Sequence, residues 1–170
     1  TGLYSRHMLR QFIDREISHV YRNKQPLSLA ILDIDHFKKV NDYFGHDVGD
    51  QILKQLAELF KNSCRSTDLA SRYGGEEFIA VLPNTSQNAS LIWAERMRER
   101  AEKSLRTPDD CKVTISIGVA TLLVNAETSN DAPIQIAADQ LFKKADNALY
   151  EAKDVGRNRV VTSEISTTEE

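Results

Sequence analysis

Leu27-Ser28-Leu29-Ala30-Ile31-Leu32-Asp33-Ile34 is a continuous, mostly apolar run of strand length, with Asp33 near its end and Asp35 just beyond it. A run that is apolar on both faces predicts a strand covered on both faces, hence the middle of a sheet. Upstream, Met8, Leu9, Phe12, Ile13, Ile17, Val20 and Tyr21 recur at helical spacing and predict a helix over 5–23, stopped before Pro26. Downstream, 37–44 reads as a short helix broken at Gly45, and a longer helix follows with Val48, Ile52, Leu56, Leu59 and Phe60 on one face.

Residues 69–73 and 76–82 read as two strands joined at Gly74-Gly75, since two glycines tolerate positive φ at both central turn positions. Pro83 ends the second strand. Ala89, Ile92, Trp93, Met97 and Ala101 mark another helix, and 113–123 another strand, which contains Gly118. A polar loop over 125–131 leads to a last helix through Ala138, Leu141, Phe142, Ala145, Leu149 and Ala152, with Gly156 placed to end it. Residues 158–161 read as a final strand. The order predicts an α/β (α+β) sandwich with a central five-stranded, mixed, mostly antiparallel sheet flanked by helices. One domain is expected over 1–161, with a polar tail, 162–170, that frays.

The chain has 170 residues, 41% of them hydrophobic and 28% charged, as expected of one soluble domain. A net charge of −3 offers no basic footprint and argues against DNA or RNA as partner. A mononucleotide stays open, because a few local Lys and Arg suffice for a phosphate. No apolar run approaches the roughly 20 residues of a membrane span, and the polar start lacks the features of a signal peptide. Cys64 and Cys111 have no metal-type spacing and read as reduced, buried thiols of a cytoplasmic protein. Beginning without Met, the chain reads as a domain cut from a longer protein.

Three features carry possible chemistry. Asp33 and Asp35 sit at the end of a very apolar strand, where an unpaired carboxylate is costly and a nearby cation is welcome. Mg²⁺ suits such hard oxygen ligands. The competing account is that Asp33 caps the next helix and Asp35 is solvated. Glu76 and Glu77 follow the glycine turn. They either face opposite sides of a strand or, through the irregularity of the turn, both approach one ion; an exposed, solubilising hairpin tip competes. If the two strands are neighbours, Asp33 and a Glu meet at one edge, as metal-assisted phosphoryl or nucleotidyl transfer needs. Lys38, Lys153 and Arg157 lie just beyond element ends, within reach of a phosphate, although charge alone does not single them out.

Arg72-Tyr73-Gly74-Gly75-Glu76-Glu77-Phe78 resembles the signature hairpin of the GGDEF-domain diguanylate cyclases, in its GGEEF form. The likeness covers nearly the whole chain. Thr1-Gly2-Leu3-Tyr4-Ser5-Arg6 is similar to the family's opening, with Ser5 where Asn is usual. The run from Leu32 to Lys39 with Asn41 and Asp42 is similar to its metal and phosphate segment. Phe44-Gly45-His46, Gly49-Asp50, Ser116-Ile117-Gly118-Val119, Ala145-Asp146, Ala148-Leu149-Tyr150, Ala152-Lys153 and Gly156-Arg157-Asn158 continue it in order.

The resemblance implies a palm-like fold, as in polymerases and nucleotidyl cyclases, and the condensation of two GTP into cyclic di-GMP. By the same likeness Asp33, the Ile34 carbonyl and Glu76 or Glu77 would hold Mg²⁺, for which Mn²⁺ can substitute. Glu76 would accept the 3′-hydroxyl proton. Phe37, Lys38 and Gly75 would meet the substrate, Lys38 also stabilising charge in the transition state. Lys153 and Arg157 would hold the β- and γ-phosphates. Asn41 and Asp50 would read guanine, with His46 lining that pocket. A carboxylate at Asp50 pairs with guanine N1–H and N2–H₂, donors that adenine lacks; a first-turn helix carboxylate is the plain alternative.

Arg65-Ser66-Thr67-Asp68 matches the family's RxxD product site, with Arg96 as a second clamp; a surface salt bridge is the alternative. The implied partners are GTP, cyclic di-GMP as product and inhibitor, a second copy of the chain, and an upstream sensor or receiver domain. A module that binds nucleotide without catalysis, and a cyclase making a monomeric cyclic nucleotide, are the rival readings. The intact Asp33, Glu76 and Glu77 argue against the first.

Overall fold

The computed structural model describes residues 3, 6–125 and 133–167, with only the backbone of Thr167. Most of the TGLYSR opening and of the 125–131 loop therefore lies outside the described residues. The elements run α1 (Arg6–Asn23), β1 (Leu27–Ile34), α2 (Phe37–Phe44), α3 (His46–Lys61), β2 (Leu69–Gly74), β3 (Glu77–Pro83), α4 (Gln87–Ser104), β4 (Ile115–Val124), α5 (Ile134–Asp154) and β5 (Val160–Thr167). The sheet order is β2-β3-β1-β4-β5. β1 pairs antiparallel with β3 and β4, β2 with β3, and β5 runs parallel to β4. This is the mixed, mostly antiparallel five-stranded sheet expected from the sequence.

β1 is central, and every one of its residues is buried. Its side chains alternate between two cores, as the pleat dictates. Ala30, Leu32 and Ile34 enter the core shared with Phe60 of α3 and Trp93 and Met97 of α4. Leu29 and Ile31 enter the core shared with Ile13 and Ile17 of α1 and Leu141 of α5. Asp33 continues the second series and so points to the α5 side. Phe60 anchors the first core, edge-on to Phe78 at 5.7 Å and to Trp93 at 6.1 Å between ring centroids. Truncating it to Ala would cost about 3–5 kcal/mol.

α5 presses directly on β4. A Cβ on Gly118 would overlap the backbone N of Leu149 and the carbonyl oxygen of Ala145. Small residues on the helix side, Ala145, Ala148 and Ala152, allow the approach. The helix ends in a Schellman arrangement: Gly156 has φ 120°, and the Arg157 N–H donates to the Ala152 carbonyl at 2.9 Å.

Four expectations need correction. The β2–β3 turn is one residue later than the glycine pair suggests: Gly74 pairs with Glu77, leaving Gly75 and Glu76 as the central positions. Only Gly75 takes positive φ, 46°. A register shift between Arg72 and Gly74 absorbs the extra residue, and the Arg72 guanidinium pins the turn through two bonds to the Gly75 carbonyl, at 3.0 and 2.7 Å. The last strand extends to Thr167, so 162–167, read as tail, is paired sheet held by the β4 backbone. Ile92 faces solvent rather than the core. Cys111 is exposed and Cys64 only half-buried, though both are free thiols. Among the described residues no helix is long and apolar enough to cross a membrane.

Candidate active site

The end of β1 is where the chain gathers its charges. Asp33 lies opposite Glu77 of β3 and Ser116 of β4. Its side chain is 8% exposed, and one oxygen lies 2.9 Å from Lys153 Nζ in the last turn of α5. Burial pushes the Asp33 carboxyl above its usual pKa. The bond to Lys153 and its charge pull it back, Asp35 raises it, and the Arg157 charge lowers it. Glu76, in the hairpin turn, is also raised, first by burial and then by the negative charge of Asp33, with Lys153 opposing. Asp33 thus sits at a corner where it feels the charges of Lys153 and Arg157, and Glu76 feels those of Asp33 and Lys153. Two carboxylates that both resist ionisation are relieved by a cation between them. No group of three or more His, Cys, Asp or Glu side chains forms a closed metal cage among the described residues. Such an open acid pair fits an ion that completes its shell with phosphate and water.

The competing account for the two aspartates fails on both counts. The residue preceding α2 is His36, left-handed at φ 57° and with no side-chain cap, so Asp33 caps nothing. Asp35 is not solvated but 5% exposed. Its carboxylate accepts from Thr114 Oγ1 at 2.7 Å, Ser116 Oγ at 2.6 Å and the Asn158 N–H at 3.0 Å. Asp35 ties the end of β1 to β4 and to the turn that carries Arg157. The sequence reading passed over Thr114 and gave Ser116 and Asn158 no role beyond motif likeness; the polar Ser116 in an otherwise apolar start of β4, with Thr114 just before it, was the available signal.

From this end α2 carries the next group. Phe37 is buried and Lys38 exposed in its first turn. One turn later Asn41 packs over the start of α3, where Gly49 makes room: a Cβ there would overlap Asn41 Oδ1. That oxygen is buried and has no partner. His46 opens α3 and Asp50 follows in its second turn, both exposed. Asp50 therefore lies beyond the first turn, where a helix dipole would explain it.

Arg65 and Asp68 lie apart, in the α3–β2 connection. Asp68 Oδ2 accepts from the Arg65 backbone N–H at 2.7 Å, and burial raises its pKa against the Arg65 bond and charge and a bond from the Thr67 side chain. Arg96 is exposed on α4. A cavity of about 590 Å³ opens between α2 and residues 107–114, but none of the expected nucleotide contacts lines it.

An open mixed sheet flanked by helices, with an acid pair and two cations at the end of its central strand, defines an α+β domain. The chain belongs to the GGDEF family: the model described as "Diguanylate cyclase, GGDEF domain" matches residues 1–159. The diguanylate cyclase DosC of Escherichia coli (strain K12) is 41% identical over 161 residues, which cover 94% of this chain and 33% of DosC. The active GGEEF domain of a diguanylate cyclase from Vibrio cholerae superposes with a TM-score of 0.83 at 35% identity, covering 95% of this chain and 97% of that one. The GGDEF domain of DgcB from Caulobacter crescentus, solved in complex with c-di-GMP, gives a TM-score of 0.82 at 29% identity, over 95% of this chain and 92% of that one. The chain spans about a third of the length of the curated relatives it matches.

Proposed function

We propose that this chain is the catalytic domain of a diguanylate cyclase that condenses two GTP into cyclic di-GMP. The observation that carries the reading is the corner itself: Asp33 ion-paired to Lys153 at 2.9 Å, with the raised Glu76 beside them. The 3′-oxygen of each GTP bonds to the α-phosphorus of the other, the α–β anhydride breaks, and pyrophosphate leaves. Glu76 takes the 3′-hydroxyl proton, a role its raised pKa suits. Asp33, the Ile34 carbonyl and Glu76, with Glu77 opposite Asp33, would hold Mg²⁺ or Mn²⁺. Bound there, the ion supplies charge neutralisation and activation of the hydroxyl.

Lys38, with the first-turn backbone at Phe37 and the turn at Gly75, meets the phosphates, and Lys153 and Arg157 hold the β- and γ-groups. Asn41 and Asp50 read guanine, with His46 at the pocket wall. One domain holds one GTP, so turnover needs two copies face to face, and the work is positioning plus electrostatics. Arg65, Asp68 and Arg96 form a product-inhibition site; the bond from the Arg65 N–H to the Asp68 carboxylate, which holds the two residues together, supports that role. The domain, which includes the strand to Thr167, works in the cytoplasm under a sensor or receiver domain outside this chain, whether or not another segment anchors the whole protein to a membrane.

The test is incubation with GTP and Mg²⁺ beside Glu76→Ala, with chromatography of products. Cyclic di-GMP from the unsubstituted chain alone, rising more steeply than linearly with protein concentration, supports the reading. A monomeric cyclic nucleotide, or no product even when dimerisation is forced by a fused coiled coil, overturns it.

A further inference from the structure

Three consecutive residues between α5 and β5 have positive φ: Gly156 at 120°, Arg157 at 61° and Asn158 at 45°. Glycine takes this conformation freely, and Asn tolerates it better than most residues. For a side chain such as Arg it is strained and persists only where the surroundings over-determine it. Three bonds do so here. The Arg157 N–H closes the end of α5 on the Ala152 carbonyl at 2.9 Å. The Asn158 N–H donates to Asp35 Oδ2 at 3.0 Å. The Asn158 side-chain oxygen accepts from Arg98 Nη1 at 2.9 Å.

Arg98 comes from α4, sixty positions earlier in the chain. Its guanidinium is itself held, with Nε 2.7 Å from Glu95 Oε2 and Nη1 3.1 Å from Glu102 Oε2, and its side chain is only 16% exposed. A planar fork fixed by two carboxylates is a rigid donor, unlike a flexible surface lysine. α4 therefore grips the turn that carries Arg157 from outside the charged corner.

We propose that Arg98 is a positioning residue for the triphosphate tail. Acting through Asn158, it fixes the left-handed turn that presents Arg157 to the corner. Through the Asn158 N–H, the same hold steadies Asp35 at the end of β1. Arg98 touches neither acid of the corner, so its effect passes entirely through Asn158. The proposal rests on reading the corner as a GTP site.

The test is calorimetric titration of the 170-residue chain with two probes in Mg²⁺. One is a GTP analogue with a methylene α,β-bridge, which cannot release pyrophosphate. The other is GMP, which lacks the β- and γ-phosphates. Arg98→Met should lower affinity for the analogue about tenfold, the scale of one charge-assisted hydrogen bond, and leave GMP unchanged. Asn158→Gly keeps the left-handed backbone and the N–H to Asp35 but lacks the amide oxygen; it should reproduce the loss, and it carries the test if Arg98→Met does not fold. Arg98→Met added to Arg157→Met should cost nothing further. Unchanged analogue affinity in Arg98→Met and Asn158→Gly overturns the proposal. An equal loss for GMP, the mark of general damage, overturns it as well. Failure of the unsubstituted chain to bind either nucleotide overturns the GTP reading and the proposal together, and that control separates the two cases.

Discussion

Lys153 Nζ lies 2.9 Å from Asp33 Oδ2, joining the last turn of α5 to the end of the central strand. The lysine side chain is 32% exposed and the aspartate 8%. Solvent therefore screens the pair, and as a stability element it contributes no more than about 1 kcal/mol. Its stronger effect is on charge: the lysine holds down a carboxyl that burial pushes up.

Lys153→Met should accordingly separate activity from stability. kcat/KM for GTP should fall at least about tenfold, from loss of a phosphate contact, while Tm moves by only about 2–4 °C. Pyrophosphate release and thermal melting on the same sample check both. A large drop in Tm with kcat/KM intact would contradict the assignment.

The raised carboxyl of Glu76 gives a second prediction, with a defined sign. A carboxyl whose folded pKa lies above its unfolded value contributes stability below the unfolded pKa and loses it as pH rises through the folded one. Ionised Glu76 is therefore a burden on the metal-free fold near neutrality. Glu76→Gln should melt about 1–3 °C above the unsubstituted chain at pH 7, in chelator. The difference should vanish as pH falls below the ordinary glutamate value of 4.5. Added Mg²⁺ should stabilise the unsubstituted chain more than the variant. Melting curves across pH, with and without Mg²⁺, measure this.

Gly49→Ala tests the guanine end. The new methyl would displace the Asn41 amide rather than any backbone. Such a flexible obstacle costs little stability, so Tm should hold within about 4 °C, while KM for GTP rises about tenfold. The preference for GTP over ATP should fall with it, measured as the ratio of the two affinities.

Gly118→Ala is the structural counterpart. There the methyl meets the backbone of α5, which cannot step aside alone. Overpacking of this kind costs about 1–3 kcal/mol or more, so Tm should drop by about 4–10 °C, or the chain should fail to fold. Because α5 ends in Lys153, activity should fall even where the fold survives.

The sequence showed the sheet where burial or glycine marks it. β1 was legible because it is apolar on both faces, and the hairpin because Gly74-Gly75 interrupts two strand-like runs. The turn was read one residue early, because the register shift after Arg72 is a matter of pairing and leaves no composition signal. The end of β5 was illegible for a different reason. Thr162-Ser163-Glu164-Ile165-Ser166-Thr167 is polar, with Ile165 as its apolar contact to the core, and backbone bonds to β4 make it a strand. The acids of the corner were marked by the apolar strand end and the glycine turn, and its cations by motif likeness. The partners of Asp35 were not legible, since they stand 79, 81 and 123 positions away and only folding brings them together.

The two thiols differ in a way that makes the chain its own reporter. Cys64 is pushed up to about 12 by burial and by the charge of Asp68, so at neutral pH almost none of it is the reactive thiolate. Cys111 is exposed, and with Lys39, Tyr43 and Phe44 of α2 it lines the 590 Å³ cavity. A maleimide fluorophore would attach at Cys111 and leave Cys64 untouched. Its emission would then follow the helix that carries Phe37, Lys38 and Asn41, giving an optical readout of nucleotide arrival without any engineered residue.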